Sequence, residues 1–290
     1  MVIAIYGSRR QDPYLDTLTS FFEQLKIRHI DVVMHSKLYH YLLPLIAPGA
    51  LDCVTTVTDD DAADSDFAAD LAVSIGGDGT FLRTAMWVAG RNIPIVGVNT
   101  GHLGYLSAIP VSRLTSLLQM IEDGDFRAEH RRMLQVVEPQ LKIWPYALNE
   151  VAVTKGDRSS MIVARTLVDG ISLADYKADG LIVATPTGST AYNLSVGGPI
   201  VQPSAPVVVL SPIAAHSLSM RPLVISDESE IRITVNCRKS HFRLSLDGRS
   251  VLLDEGTTVV LRRAPFDITA LQLAEHDFAS TLRDKLSWAE

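Results

Sequence analysis

The chain is poor in the features that mark several common protein classes. Cysteine occurs only as Cys53 and Cys237, far apart and in neither a metal nor a redox spacing. No disulfide framework is expected, and a reducing, cytoplasmic setting is. Basic residues are outnumbered, 26 Lys and Arg against 33 Asp and Glu, for a net charge of -7. That balance argues against a broad surface for nucleic acid or anionic membrane, while leaving room for a local basic pocket. Apolar runs are short and broken by Pro, Gly or charge, well below the roughly 18 residues needed for a membrane span. The opening MVIAIYGSRR has no basic n-region, no long apolar stretch and no small-residue cleavage site. It reads as a first strand entering a turn, not as a signal peptide. No repeat of fixed period and no low-complexity segment is present, and the eight histidines form no H-E-x-x-H spacing.

What is present fits an ordinary soluble protein. A length of 290 residues, 47% of them apolar, is enough for about two domains with a core each. From Val2 to Ile121 short β-branched runs alternate with helical patterns, the mark of a doubly wound α/β domain with a parallel sheet. The expected strands are Val2–Tyr6, Asp31–His35, Leu71–Ile75 and Ile93–Val98. Expected helices are Tyr14–Lys26 and Thr80–Ala89, with a further one capped by Ser112 and ending near Gly124. After Phe126 the pattern changes to short strands of period two with turn signals such as Asp247-Gly248, which reads as an all-β half. His276 to Trp288 returns to helical spacing, with Phe278, Leu282 and Leu286 on one face. The expected division is therefore 1–125, 126–265 and a C-terminal segment 266–290 that packs back on the first domain. The acidic run Asp59-Asp60-Asp61 and the basic group Arg238, Lys239 and Arg243 read as solvated loop and hairpin.

Chemistry concentrates first in Ser74-Ile75-Gly76-Gly77-Asp78-Gly79-Thr80-Phe81-Leu82. Glycines that follow a buried strand and open a helix let backbone N–H groups approach an anion, and the helix dipole favours negative charge there. The usual phosphate motifs fail: no Gly-Lys pair exists for a Walker A loop, and Leu82 breaks a G-x-G-x-x-G template. A plain reading makes the glycines geometric and Asp78 a helix cap. Against it, a carboxylate close to a phosphate is repelled unless a Mg²⁺ ion or a protic group lies between them. The segment therefore reads as phosphoryl-transfer machinery in which Asp78 orients and deprotonates an acceptor hydroxyl. Gly76, Gly77, Gly79 and Thr80 would take the donor phosphates.

Two further segments join it. Ala178-Asp179-Gly180 through Thr185-Pro186-Thr187-Gly188-Ser189-Thr190-Ala191-Tyr192-Asn193 runs from a strand into a polar turn. It is either a well-capped loop or a nucleoside pocket with Tyr192 beside a base. Leu148-Asn149-Glu150-Val151 sets an amide and a carboxylate at the mouth of a strand, suited to an adenine edge and ribose hydroxyls.

Together these segments resemble the NAD kinase family. The resemblance rests on GGDGTFL at 76–82, GVNTGHLGYL at 97–106, LNEVAV at 148–153, ADGLIVATPTGSTAYNLSVGGPIV at 178–201 and HSLSMRPLVI at 216–225. The first motif is shared with 6-phosphofructokinases and with diacylglycerol and sphingosine kinases, whereas the TPTGSTAYNLS stretch with the Asn-Glu pair is more specific. The resemblance implies transfer of the γ-phosphate of ATP, or of polyphosphate, to the 2′-hydroxyl of the adenosine ribose of NAD. It implies that Asp78 contacts that hydroxyl, Gly79 sits by the donor phosphates, Asn149 reads the adenine and Glu150 holds the ribose. Thr190, Ala191, Tyr192 and Ser195 would line the adenine pocket, Asp179 would lie toward the nicotinamide, and His102 and Tyr105 would close the site. Mg²⁺ carried mainly by the nucleotide phosphates, a homodimer or homotetramer, and a C-terminal β-sandwich are implied as well. Tyr105, Val196 and Ala215 depart mildly from the family pattern. The competing readings are a lipid kinase, which should show an amphipathic membrane face that this sequence lacks, and a catalytically silent NAD(P)-binding sensor, from which the retained Asp78 and Glu150 argue away.

Overall fold

The computed structural model describes residues 1–58, 67–101, 104–156, 161–237, 240–275 and 277–286. The acidic run from Asp59, together with His102, Arg238 and Lys239, lies outside the described residues. Two compact units form, one of residues 1–130 with 268–290 and one of residues 131–267.

The first unit is built on β1 (Val2–Gly7), β2 (Asp31–His35), β3 (Val54–Val57), β4 (Leu71–Ile75), β5 (Ile95–Asn99), β6 (Ile109–Pro110) and β7 (Phe126–Arg131). Its sheet runs β3-β2-β1-β4-β5, then the chain's last strand Ile268–Leu273, then β7, with β6 beside β5. The first five strands pair in parallel, and the last strand is parallel to β5 through Ala270 opposite Ile95. This is the doubly wound order, whose direction of winding reverses between β1 and β4. Every residue of β4 and β5 is buried, which explains why both read as unbroken apolar runs. Helices α1 (Leu15–Ile27), α2 (Ser36–Leu42) and α3 (Asp78–Val88) cover the sheet. α1 buries Leu18, Phe21, Phe22 and Leu25 in one core with Ile3, Ile5, Val73 and Val98.

The helix expected from Ser112 starts differently. Val111–Ser116 forms a 3-10 turn, and only Leu117–Asp123 is α-helix, here α4, ending at Gly124 with φ 73. Ser112 makes no cap, since Pro110 precedes the turn and the Val, Ser and Thr residues within it have modest helix propensity. The unit boundary also falls a few residues later than the pattern change at 126, because β7 joins the first sheet. The C-terminal helix spans Phe278–Leu286, with Leu282 buried.

The second unit contains β8 (Leu134–Glu138), β9 (Tyr146–Ala147), β10 (Glu150–Lys155), β11 (Ile162–Val168), β12 (Ile171–Ala178), β13 (Gly180–Ala184), β14 (Val207–Ile213), β15 (Leu223–Ser226), β16 (Ile231–Cys237), β17 (His241–Leu246), β18 (Arg249–Asp254) and β19 (Thr258–Arg263). They make two six-stranded antiparallel sheets, β15-β14-β13-β10-β17-β18 and β12-β11-β16-β19-β8-β9. Val151, Val153, Val183 and Phe242 of one share a core with Val136, Ile162, Val235 and Leu261 of the other, so the sheets form a sandwich. A smaller cluster of Ala152, Ile182, Ala184 and Val209 packs with Val196 and Val201 on the outer face of the first sheet. β13 is thus covered on both sides. No helix of the described residues is long and apolar enough to cross a membrane.

Candidate functional site

In the first unit, β4 delivers the chain into Gly76, Gly77 and α3. Gly76 is buried with φ 154, and a Cβ there would stand 2.3 Å from Thr80 Oγ1. Thr80 is itself buried, and its amide and that of Phe81 return to the Gly77 carbonyl at 2.8 and 3.1 Å. Gly77 and Gly79 differ in kind. Both are exposed, and a Cβ on either would meet nothing within 4 Å. Packing therefore leaves room for a side chain at both positions, and the helix start between them is open.

Asp78 is the first residue of α3, after the N-cap Gly77, so it is not the cap. Its carboxylate reaches the loop after β5 and accepts three backbone N–H bonds, from Tyr105 at 2.8 Å, Leu106 at 3.0 Å and Ser107 at 3.0 Å. A Cβ at Gly104 would stand 1.9 Å from Asp78 Oδ1, so the carboxylate fits only because residue 104 has no side chain. The loop is held from its other side by Asn99, whose amide donates to the Ser107 carbonyl at 3.1 Å and accepts from Gly101 N at 2.7 Å. Tyr105 Oη is buried without a hydrogen-bond partner, and burial followed by the nearby Asp78 charge pushes the phenol pKa up. Lys285 Nζ lies 5.7 Å from the centre of the Tyr105 ring.

The second unit repeats the device. Asp247, half-buried in the β17–β18 turn with φ 46, accepts from three consecutive amides: Leu148 at 2.7 Å, Asn149 at 2.8 Å and Glu150 at 3.1 Å. Its own amide donates to the Glu150 carbonyl at 3.2 Å. Glu150 Oε2 is buried and has no partner among the described residues. Burial, then the charge of Asp247, raises its pKa from the ordinary 4.5 to about 7, and a bond from the Tyr192 amide opposes the shift. Burial also raises Asp247, against the pull of its three amides and Arg249. Arg249 is anchored to the carbonyls of Trp144 and Tyr146 at 2.7 and 2.6 Å.

Glu150 pairs with Ala184 across β10 and β13, which brings the polar turn beginning at Thr185 alongside Asn149. Thr185 donates through N to the Asn149 carbonyl at 2.9 Å and through Oγ1 to the Leu148 carbonyl at 2.6 Å. A Cβ at Gly188 would lie 1.9 Å from the Asn149 carbonyl oxygen. Beyond the turn, the fully buried Asn193 donates to the Ser189 and Pro199 carbonyls and accepts from Ser211 Oγ at 2.6 Å. Thr190 and Ala191 are half-buried, Ser195 is exposed with its hydroxyl on the Tyr192 carbonyl, and Tyr192 is 42% exposed. An aromatic ring is thus left open beside a carboxylate with one oxygen, Oε2, unpartnered among the described residues.

Asn149, Glu150, Thr190, Ala191, Tyr192 and Ser195 therefore gather at one end of the β10–β13 pair. Asp179 does not join them. It sits at the other end, roughly 15 Å away at strand spacing, where it pairs with Lys155 at 2.7 Å. Sequence reasoning took Asp247 only as a hairpin turn signal, and Gly104 and Asn193 only as motif letters. The positive φ at Asp247 hints at its turn, but nothing local reveals its three amide partners about 100 residues earlier. Among the described residues, no group of three or more His, Cys, Asp or Glu side chains is placed to hold a metal ion.

Comparison with known proteins shows the family. The ATP-NAD kinase N-terminal domain matches residues 4–126 and the ATP-NAD kinase C-terminal domain residues 148–273. The NAD kinase of Bacteroides fragilis is 39% identical over 99% of this chain and 98% of its own. That of Porphyromonas gingivalis is 47% identical over 76% of each chain. Among solved structures, yeast NADH kinase complexed with NADH superposes with a TM-score of 0.86 at 26% identity, covering 99% of this chain and 88% of the other. An NAD kinase from Archaeoglobus fulgidus in complex with ATP gives 0.72 at 25% identity over 99% and 98%.

Proposed function

Because the chain belongs to the NAD kinase family, we propose that the work of its reaction is divided between the residues of its two units. The reaction is the transfer of the γ-phosphate of ATP to the 2′-hydroxyl of the adenosine ribose of NAD, giving NADP. In the first unit, the open amides around Gly77 and Gly79 receive the donor phosphates, with Gly76 and Thr80 shaping the turn beneath them. A carboxylate has about four acceptor positions, so Asp78, with three used by amides, keeps one for the acceptor hydroxyl. A fixed acceptor of this kind orients the nucleophile, which is most of what a loose phosphoryl-transfer transition state asks of a protein. Tyr105 borders this position, and closing the site is the role we assign to His102 from the family resemblance alone. In the second unit, Asn149 reads the adenine edge, Glu150 takes the ribose, and Thr190, Ala191, Tyr192 and Ser195 border the base. Asp179, a strand's length from Glu150, serves the nicotinamide half.

Mg²⁺ would be carried mainly by the nucleotide phosphates, whose charge it would offset; among the described residues no group of three or more His, Cys, Asp or Glu is placed to hold it. Inorganic polyphosphate would present the same row of phosphates to the same amides. A homodimer or homotetramer in the cytoplasm is the working form we infer, with no nucleic-acid or membrane partner. Exposed apolar side chains such as Leu218, 93% exposed, and Ile171, 74% exposed, support an assembled state, which light scattering would measure directly.

The observation that carries the donor assignment is the open space at Gly77 and Gly79. Gly79→Ala should leave the fold intact, or steady α3 by up to about 1 kcal/mol, while raising the KM for ATP at least tenfold. The assay is NADP formation from NAD and ATP with Mg²⁺, alongside a melting curve. An Ala variant with unaltered KM for ATP would remove the phosphates from this turn.

A further inference from the structure

Asp247 touches neither donor nor acceptor in the division of labour above, yet it holds the backbone from which both recognition side chains project. Three consecutive amides, those of Leu148, Asn149 and Glu150, end on its carboxylate, and its own amide returns to the Glu150 carbonyl. A bend with three N–H groups converging on one point needs an acceptor with two oxygens and a negative charge to satisfy them. Without it, the mouth of β10 would present three unpaired buried donors. We propose that Asp247 is the positioning residue for NAD recognition, fixing Asn149 and Glu150 in place and setting a second carboxylate beside Glu150.

This rests on the reading of Glu150 as the ribose ligand. The groups facing Glu150 are the Asp247 carboxylate from the β17–β18 turn and the Tyr192 amide from the polar turn, while the charge of Arg249 acts on Asp247. With three amides and a neighbouring guanidinium, Asp247 is the better place for the negative charge. The proton therefore goes to Glu150, whose Oε2 has no partner among the described residues. Ribose hydroxyls donate to an ionised carboxylate, so NAD binding favours loss of that proton. The KM for NAD should then rise as pH falls through about 7, by about tenfold between pH 8 and pH 6 if only the ionised form binds.

The test is the pH dependence of KM for NAD and of kcat, from pH 5.5 to 8.5, in the full-length enzyme and in Asp247→Asn, Asp247→Ser and Glu150→Gln. Asn tolerates the left-handed backbone at this position, so the first variant keeps the turn, and Asp247→Ser supplies a second neutral side chain. Neutralising Asp247 should raise KM for NAD at pH 8 severalfold and move the acid limb down by about one pH unit, with kcat much less affected. Glu150→Gln should remove the limb. A limb that stays near pH 7 in both Asp247 variants while melting temperature falls would reduce Asp247 to a structural residue and overturn the proposal. A wild-type KM and limb in Glu150→Gln would instead overturn the reading of Glu150 on which it stands.

Discussion

Gly104 and Asp78 make the sharpest case at the scale of single residues. The Cβ of an alanine at 104 would enter the Asp78 carboxylate, so Gly104→Ala should lower kcat about as far as changes at Asp78 itself, although residue 104 bears no functional group. Steady-state kinetics of the two variants side by side checks this; a Gly104→Ala enzyme with normal kcat would show that Asp78 need not stand where the loop amides hold it. Glu150 carries a stability signature as well. Its folded pKa of about 7 exceeds the ordinary 4.5, so the folded state binds the extra proton more tightly. The resulting stability is complete below pH 4.5 and is lost as pH rises to 7, up to about 3 kcal/mol. Glu150→Gln should therefore gain on the wild type in ligand-free unfolding titrations as pH climbs through that window, and the gap should level off above it. A constant gap from pH 4.5 to 8 would contradict the shift. At this scale the sequence was legible for the donors and acceptors themselves: a carboxylate among glycines, and an Asn-Glu pair, declare their chemistry. Their holders were not legible, because Asp78 finds its amides 27 to 29 residues later and Asp247 finds its own 97 to 99 residues earlier.

Among the elements, the segment from Thr185 to Val201 shows how a loop becomes a rigid wall. Asn193 ties Ser189, Pro199 and Ser211 together from a fully buried position, and a Cβ at Gly198 would stand 2.0 Å from its Oδ1. Asn193→Ala strips partners from buried groups and should cost about 1–3 kcal/mol, with a raised KM for NAD because Tyr192 loses its support. Thermal melts and kinetics together measure this, and a stable variant with normal KM would show that the wall holds without its hub. The strands β4 and β5 were readable because burial on both faces leaves a run made mostly of apolar residues. The stretch after Pro110 was not, since Val, Ser and Thr suit a 3-10 turn and an α-helix about equally and packing of Leu114 and Leu117 decides the outcome.

For the whole molecule, the order of the chain and the order of the sheet disagree in one place, and this has a consequence. The strand Ile268–Leu273 lies between β5 and β7 in the first unit's sheet, yet it is made after the entire second unit. A chain ending at Asp267 would leave the first half of β5, the strand whose loop embraces Asp78, without its neighbour on that side, where only the short β6 would remain, opposite Val98 and Asn99. Such a truncation should abolish NADP formation and lower the first unit's stability while the sandwich core, complete within residues 131–267, still folds; circular dichroism and hydrogen exchange would separate the two. The return of the final segment was visible in the sequence as a helical pattern, but the strand before it was not, because six residues of alternating burial look the same in either sheet. The central claim is that Asp78 serves the transfer step itself and not merely the binding of NAD. The most direct test is the measurement of kcat and KM for NAD in Asp78→Asn, with folding confirmed by melting. A fall in kcat of about 100-fold or more with KM for NAD within a few-fold of wild type is the predicted result; an unchanged kcat would contradict the account.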